Sequence, residues 1–193
     1  MIRTRSTRSP GLSVSLVVIP MLAAAGLLSG CSDSGTPTMP ALEPTFDAAM
    51  QEIVQATKRT FTAALSGANE VPPNDSRARG QAVFQLSQDG TEVSYRLIVA
   101  NLHNVTMAHI HLGQAGVNGP VVVWLYPSGP PAQLIEGRSS GVLATGVITE
   151  ASLVGQLAGQ PLSALVDRMR DATVYVNVHT SQFPPGEIRG QIQ

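Results

Sequence analysis

Three of the four histidines in the chain are spaced in a way that could bind a metal ion. His109 and His111 are separated by one residue within residues 107–112, where polar and apolar residues alternate as in a β-strand. Alternate residues of a strand point to the same face, about 6–7 Å apart, so two imidazoles could close on one ion. Residues 174–179 alternate in the same way and end in the third histidine, His179.

The two faces of residues 174–179 predict the direction of His179. Three valines occupy one face, and Tyr175, Asn177 and His179 occupy the other. The valine face is expected to pack into the core, so His179 is expected to point outward or toward a cleft. If His179 converges with His109 and His111, their ring nitrogens are expected within about 3–4 Å of one another around a common ion.

Two interpretations of the histidines are open at this point. Strand histidines that are only hydrogen-bonded and half-buried would show the same pattern. A metal site of His109, His111 and His179 would suit copper or another transition metal, because imidazole nitrogens are good ligands for such ions. No cofactor is therefore certain, and copper is the candidate.

Residues for other kinds of catalysis are missing from the sequence. It contains no nucleophile elbow, no HExxH motif and no CxxC motif. Glu187 and Arg189 lie on one strand face and are expected to form a structural charge cluster, with each other or with Glu70 and Arg79. This favours a protein that is not an enzyme, and the three-histidine hypothesis leaves redox chemistry as the alternative.

Residues 1–30 predict a secretory signal of the lipoprotein type. Three arginines precede an apolar run over residues 12–28, which Pro20 interrupts. The sequence Leu-Ser-Gly-Cys at residues 28–31 resembles the bacterial lipobox, in which the chain is cut before the cysteine and the thiol is acylated, as with palmitate. A retained membrane-spanning helix is the weaker interpretation, because the apolar run is short and broken.

Cys31 is the only cysteine, so no intramolecular disulfide can form. Acylation would use this thiol and would bind the protein to a membrane. Residues 31–57 are then the lipidated cysteine and a flexible stalk, since residues 32–44 are rich in Ser, Thr, Gly and Pro. The expected location is the bacterial cell envelope, and Ser32 after the cysteine favours the outer membrane or cell surface.

Composition points to one β-rich domain that does not bind nucleic acid. The first 30 residues contain three of the 12 basic residues and none of the 13 acidic ones, so the remaining 163 carry a formal charge of about −4. They include no basic patch suited to nucleic acid. Valines are many and charged residues few, which is typical of strands, and we expect a single domain over residues 58–193.

Short alternating segments between turns predict an antiparallel β-sandwich or barrel, immunoglobulin-like or superoxide-dismutase-like, of about seven or eight strands. Asp89-Gly90 predicts a hairpin turn, and residues 101–104 predict another just before the histidine strand. The glycine-rich residues 113–120 lack the lysine of a phosphate-binding loop and are expected to be a wide turn. Residues 127–141 are expected to be a surface loop.

One or two short helices are expected near residues 149–171. Thr149 could cap a helix over residues 150–157, and Pro161 could start a second helix. Residues 46–57 have the apolar spacing of an amphipathic helix but could equally extend the stalk. The second helix is expected to bury an apolar stripe of Leu162, Leu165, Val166 and Met169.

The chain resembles the CHRD domain, which occurs in the animal protein chordin and alone in bacterial exported proteins. The resemblance runs from about Phe61 to Ile192 and implies an all-β extracellular or envelope module without supplying a ligand. It rests on Leu65-Ser66-Gly67-Ala68-Asn69-Glu70-Val71-Pro72-Pro73, Ala108-His109-Ile110-His111, Gly119-Pro120-Val121-Val122, Tyr175-Val176-Asn177-Val178-His179-Thr180 and Phe183-Pro184-Pro185-Gly186-Glu187-Ile188-Arg189-Gly190-Gln191.

A fainter resemblance links the His-x-His strand to copper–zinc superoxide dismutases, which also place such a pair ahead of a glycine-rich stretch. This chain lacks their disulfide cysteines, bridging histidine and zinc ligands, so dismutase activity is not expected. The expected function is a lipid-anchored, non-enzymatic binding or structural module for a protein or surface ligand. The alternative is a copper-binding or redox protein that uses the three histidines.

Overall fold

The computed structural model describes residues 46–193. The predicted signal peptide, Cys31 and the first part of the predicted stalk lie outside the described residues. The helices are α1 (Phe46–Thr57) and α2 (Leu162–Arg170), and the strands are β1 (Thr60–Ser66), β2 (Arg79–Leu86), β3 (Val93–Leu112), β4 (Val121–Tyr126), β5 (Ile135–Ile148), β6 (Val174–Thr180) and β7 (Ile188–Gln191).

All seven strands belong to one antiparallel sheet in the order β2-β1-β7-β6-β3-β4, with β5 also paired to β3. Because β2 pairs with β3 as well as with β1, the sheet closes on itself. This confirms the predicted all-β antiparallel fold with short helices. Among the described residues, the hydrophobic core extends from Phe61 to Ile192.

The long strand β3 joins the two halves of the sheet. Its first half pairs with β2 and β5, and its second half pairs with β4 and β6. The turn predicted at residues 101–104 is therefore wrong. Asn101 and Asn104 do adopt left-handed φ angles of 62° and 53°, but they bend the strand without reversing it. Asparagine tolerates this conformation in turns and bulges alike, and pairing with β5 continues past Leu102.

The apolar alternation seen in the sequence marks the core face of the strands. Val174, Val176 and Val178 are each fully buried, as predicted, and they pair with β3 beside the fully buried Ala108 and Ile110. Helix α2 buries Leu162, Leu165, Val166 and Met169, which also confirms the predicted stripe.

The region before α2 differs from the predicted helix over residues 150–157. It contains two 3₁₀ turns, Glu150–Ser152 and Gly155–Leu157. Thr149 forms a capping box with Ser152, so the predicted cap is present on a shorter element. Gly155 interrupts the helix with a φ of +59°, where a Cβ would lie 2.6 Å from the Val121 carbonyl oxygen.

The surface loop predicted over residues 127–141 ends earlier than expected, because β5 begins at Ile135. The first half of β5 is mostly exposed and has no apolar alternation, so the sequence pattern does not mark it. Backbone pairing with β3 defines this half of the strand instead. Ser139 lies opposite Leu102, and Arg138 lies opposite His103.

Residues 46–57 form α1, which resolves the alternatives of helix and extended stalk in favour of a helix. Its large apolar side chains are exposed, including Phe46 and Ile53. Within residues 46–193, no helix is both long enough and apolar enough to cross a bilayer.

Candidate metal centre

The register between β3 and β6 brings the three histidines together. Residues 107–112 of β3 pair with β6 without a break, with Met107 opposite His179, His109 opposite Asn177 and His111 opposite Tyr175. Directly opposed side chains in an antiparallel pair lie on the same face, about 4.5–5.5 Å apart at Cβ. The histidines therefore occupy the face of the sheet opposite the valines.

This polar face is buried, which corrects the expectation that His179 points outward or toward a cleft. His179 is 7% exposed and His109 3% exposed. Loops lie over the face and are joined by side-chain hydrogen bonds. Asn118 Nδ2 donates to the Val71 carbonyl, and Asn74 Nδ2 donates to the Glu187 carbonyl.

One nitrogen from each of His109, His111 and His179 lies within 4.8 Å of the other two. His109 Nδ1 and His179 Nε2 are 3.2 Å apart. Two nitrogens bound at about 2.0–2.1 Å in a tetrahedral site are separated by about 3.3 Å, so this pair already has the spacing of two ligands. His109 and His179 thus meet the predicted spacing of 3–4 Å, and the His111 nitrogen lies within 4.8 Å of both.

Backbone carbonyls orient two of the three imidazoles. His111 Nδ1 lies 2.9 Å from the Gly119 oxygen, and His179 Nδ1 lies 2.8 Å from the Pro184 oxygen. A carbonyl can only accept, so each Nδ1 carries the proton and each Nε2 keeps its lone pair. Metal-binding histidines are commonly held in this way by the hydrogen bond of the second ring nitrogen.

His109 has a less complete set of partners. Without an ion, its Nδ1–H donates to the lone pair of His179 Nε2. Its own Nε2 is then buried without a hydrogen-bond partner, as is Nε2 of His111. Buried polar atoms in native proteins are rarely left unpaired. A cation would use both of the lone pairs that the carbonyls leave free, on His111 Nε2 and His179 Nε2. His109 would bind it through Nδ1 in the other neutral tautomer, with the proton on Nε2.

Aromatic rings hold the histidines in place. Trp124 packs edge-on against His109 with ring centroids 4.3 Å apart. Tyr175 stacks on His111 at 5.0 Å with an interplanar angle of 9°. The guanidinium carbon of Arg189 lies 3.4 Å from the Tyr175 ring centroid, a cation–π contact. These contacts restrict the rotation of both imidazoles.

Burial keeps the cluster neutral. It lowers the pKa of His109 to about 3, with further lowering from His179 and His111. It lowers the pKa of His111 to about 4, although the Gly119 carbonyl acts in the opposite direction. Burial also lowers the pKa of His179. Neutral imidazole is the form that binds metal, so the cluster is in its binding form at neutral pH.

The charged residues near the cluster do not pair as the sequence suggested. Glu187 accepts hydrogen bonds from two hydroxyl groups, and Glu70 accepts one from Asn177 Nδ2. Arg79 donates to the backbone instead of a carboxylate. In the part of the chain that the structure describes, none of the expected ion pairs among Glu70, Arg79, Glu187 and Arg189 is present.

Arg189 instead fastens the glycine-rich loop. Its guanidinium donates to the carbonyls of Gln114 and Val117 and to Asn118 Oδ1. The same loop supplies Gly119, whose carbonyl orients His111 and whose N–H donates to the Tyr175 hydroxyl. The loop predicted to be a wide turn is thus a support for the cluster.

The sequence model of the CHRD domain matches residues 61–192. The chain belongs to the CHRD-domain family. The CHRD domain includes all three clustered histidines and nearly the whole sheet. It indicates a β-domain that serves as a binding or structural module. No curated protein and no solved structure matches the chain, and the likeness of its His-x-His strand to superoxide dismutases stays a prediction.

The sequence analysis did not assign several residues to the surroundings of the cluster. It placed Tyr175 and Asn177 on the strand face of His179 but gave them no role at the site. Trp124 belongs to an apolar run, which gave no indication of a histidine contact. The carbonyls of Gly119 and Pro184 have no sequence signal at all, because any residue could supply them.

Acidification is expected to destabilise the CHRD domain. Because the pKa values of His109 and His111 are lowered from 6.5 to about 3 and about 4, the unfolded chain binds more protons below pH 6.5. The free energy of unfolding should therefore fall by on the order of 1–2 kcal/mol per histidine between pH 7 and pH 5. Urea titrations at both pH values measure this loss.

Glu70 provides the control for that experiment, because it acts in the opposite direction. Burial raises its pKa from 4.5 to about 7 against the lowering effect of Arg189. Its contribution to stability is full below pH 4.5 and is lost as the pH rises to about 7. Glu70→Gln should therefore show a steeper loss between pH 7 and pH 5 than the unmodified protein. A free energy of unfolding that stays level in this variant would contradict neutral, buried histidines.

Proposed function

We propose that this chain is a lipid-anchored protein of the bacterial cell envelope whose CHRD domain binds a transition metal ion through His109, His111 and His179. The observation that carries the proposal is the orientation of the cluster. Two backbone carbonyls fix the Nδ1 protons of His111 and His179, so that both Nε2 lone pairs remain for an ion. His109 Nδ1 lies 3.2 Å from one of those lone pairs.

Copper is the ion that we propose. Imidazole ligands suit copper, zinc, iron and nickel, and copper(II) binds such ligands most tightly among the divalent first-row ions. All three candidate ligands are neutral imidazoles, with lowered pKa values that protect them from proton competition. Three protein ligands leave a fourth position for water or another donor.

We propose binding without catalysis as the role of this ion. His109 and His179 lie beneath loops and are almost fully buried, which favours retention of an ion over turnover of a substrate. Redox chemistry at a copper ion is the second candidate, because a three-histidine site with an open position is typical of reactive centres. The half-buried His111 is the side from which a small reactant would enter.

Metal titration tests the proposed site. Calorimetry of copper(II) and zinc(II) against the chain without residues 1–30, with Cys31→Ser to remove the free thiol, should give one tight copper site per chain. The triple variant His109→Ala/His111→Ala/His179→Ala should lose it. His103→Ala is the matched control, because His103 is exposed and outside the cluster. The affinity of this variant for copper should equal that of the unmodified protein. If the unmodified protein and the triple variant bind copper equally weakly, the three histidines are ordinary strand residues and not metal ligands.

The pH dependence of binding provides a further test. Histidines with the ordinary pKa of about 6.5 would release about two protons in total when three of them bind a metal at pH 6. With pKa values of about 3 for His109 and about 4 for His111, neither has a proton to release at that pH, and the lowered pKa of His179 reduces its release too. The binding enthalpy at pH 6 should then depend only weakly on the ionisation enthalpy of the buffer. A strong buffer dependence would mean that the imidazoles are protonated before metal binds.

The proposed anchor is tested separately from the metal site. Cys31→Ser removes the thiol that would carry the acyl groups, and Cys31 lies far along the chain from the first core residue, Phe61. We therefore expect most of the protein to leave washed membranes while the domain stays folded. Fractionation and the urea midpoint measure the two effects. If the variant remains in the washed membrane pellet, the anchor lies elsewhere.

A further inference from the structure

Helix α1 presents an apolar stripe that the described part of the protein does not cover. Phe46 is 79% exposed, Met50 45%, Ile53 57% and Val54 60%. These positions follow the i, i+4, i+7, i+8 spacing of one helix face. None of these four side chains belongs to the hydrophobic core, whose first described residue is Phe61. Single exposed apolar residues are ordinary, but a stripe of four large ones marks a surface that binds something apolar.

The opposite face of α1 is polar and carries little net charge. It includes Gln51, Glu52 and Gln55, with Asp47 in the first turn. Lys58 and Arg59 follow the helix directly, so the two acids are balanced by two bases. With 12 residues, the helix is about 18 Å long, too short to span a bilayer and long enough to lie in its interface.

The position of α1 in the chain identifies what could cover the stripe. Only 14 residues lie between Cys31 and Phe46, so the two are at most about 50 Å apart when the chain is fully extended. The β-domain begins at Thr60, three residues after α1 ends at Thr57. If Cys31 carries the proposed acyl groups, α1 is held within reach of the same bilayer that contains them.

We infer that α1 lies in the headgroup region of that membrane, with Phe46, Met50, Ile53 and Val54 directed toward the acyl chains. The choice of a membrane as occupant rests on the proposed Cys31 anchor. Membrane association often combines two weak signals, one acyl and one peptide. Because the charges near α1 balance, binding depends mainly on apolar burial and should differ little between neutral and anionic lipids. The helix would also limit how far the CHRD domain can move from the bilayer surface.

Vesicle binding of unacylated protein tests this inference apart from the anchor. The chain from residue 31 onward with Cys31→Ser keeps α1 and every core residue but cannot be acylated. It is mixed with vesicles of phosphatidylcholine, or of phosphatidylethanolamine and phosphatidylglycerol at three to one, and sedimented. We expect weak, reversible binding to both, seen at high lipid and lost on washing.

Two paired variants in this background make the test specific to the stripe. Ile53→Gln/Val54→Gln removes two apolar side chains while keeping good helix propensity and should reduce partitioning at least ten-fold. Glu52→Gln/Gln55→Glu moves a charge along the polar face with the same composition and should change partitioning less than two-fold. Equal partitioning of both variants would overturn the inference.

Two further measurements separate the remaining outcomes. Sedimentation velocity without lipid should show a monomer; a dimer that Ile53→Gln/Val54→Gln dissociates would identify a second copy as the occupant and overturn the inference. The mass of the Cys31 peptide from native membranes reports acylation directly. A Cys31 peptide without acyl groups would refute only the proposed anchor. Equal vesicle partitioning of the paired variants would refute only the role of α1.

Discussion

The antiparallel pairing of β3 with β6 is the constraint on which the rest of the structure depends. From Met107 to Leu112 the pairing has no bulge, so every side chain of the two strands is assigned to one of two faces. A shift of one residue would exchange those faces, placing histidines in the apolar core and valines among the polar groups. Burial of Val174, Val176 and Val178 strongly favours the observed register and thereby also determines where His179 lies.

The second consequence of this register is a polar layer that must be buried without losing its hydrogen bonds. Unpaired charges would be costly there, and the protein meets the requirement mainly with neutral partners. Hydroxyl groups satisfy Glu187, loop carbonyls satisfy Arg189, and an amide satisfies one oxygen of Glu70. The loops that cover the layer are therefore bonded to the side chains they cover, which explains why the histidines have fixed ring orientations and lowered pKa values.

The proposed metal site and the proposed membrane attachment belong to different parts of the chain. The CHRD match begins at residue 61, after α1, and contains His109, His111 and His179. The histidine cluster is thus a feature of the CHRD domain itself, built from its sheet and loops. Cys31 and α1 precede the matched residues in the chain. We therefore expect the proposed attachment and the proposed metal binding to be separable by mutation.

The sequence by itself determined the all-β class, the core face of β6 and the apolar stripe of α2, because burial imposes a period of two on strands and 3.6 on helices. It also placed His109 and His111 on one face, since strand geometry alone requires it.

Features that depend on residues distant in the chain could not be predicted from the sequence pattern. Asn101 and Asn104 indicated a turn, yet pairing with β5 keeps β3 continuous. Glu187 and Arg189 suggested an ion pair, yet each found a neutral partner nearer in space. The approach of His179 to His109, and the carbonyls of Gly119 and Pro184 that orient two of the rings, depend on sheet register and loop conformation. Only the tertiary structure decides these, because a backbone carbonyl is the same group in every residue and its position depends on the path of the whole chain.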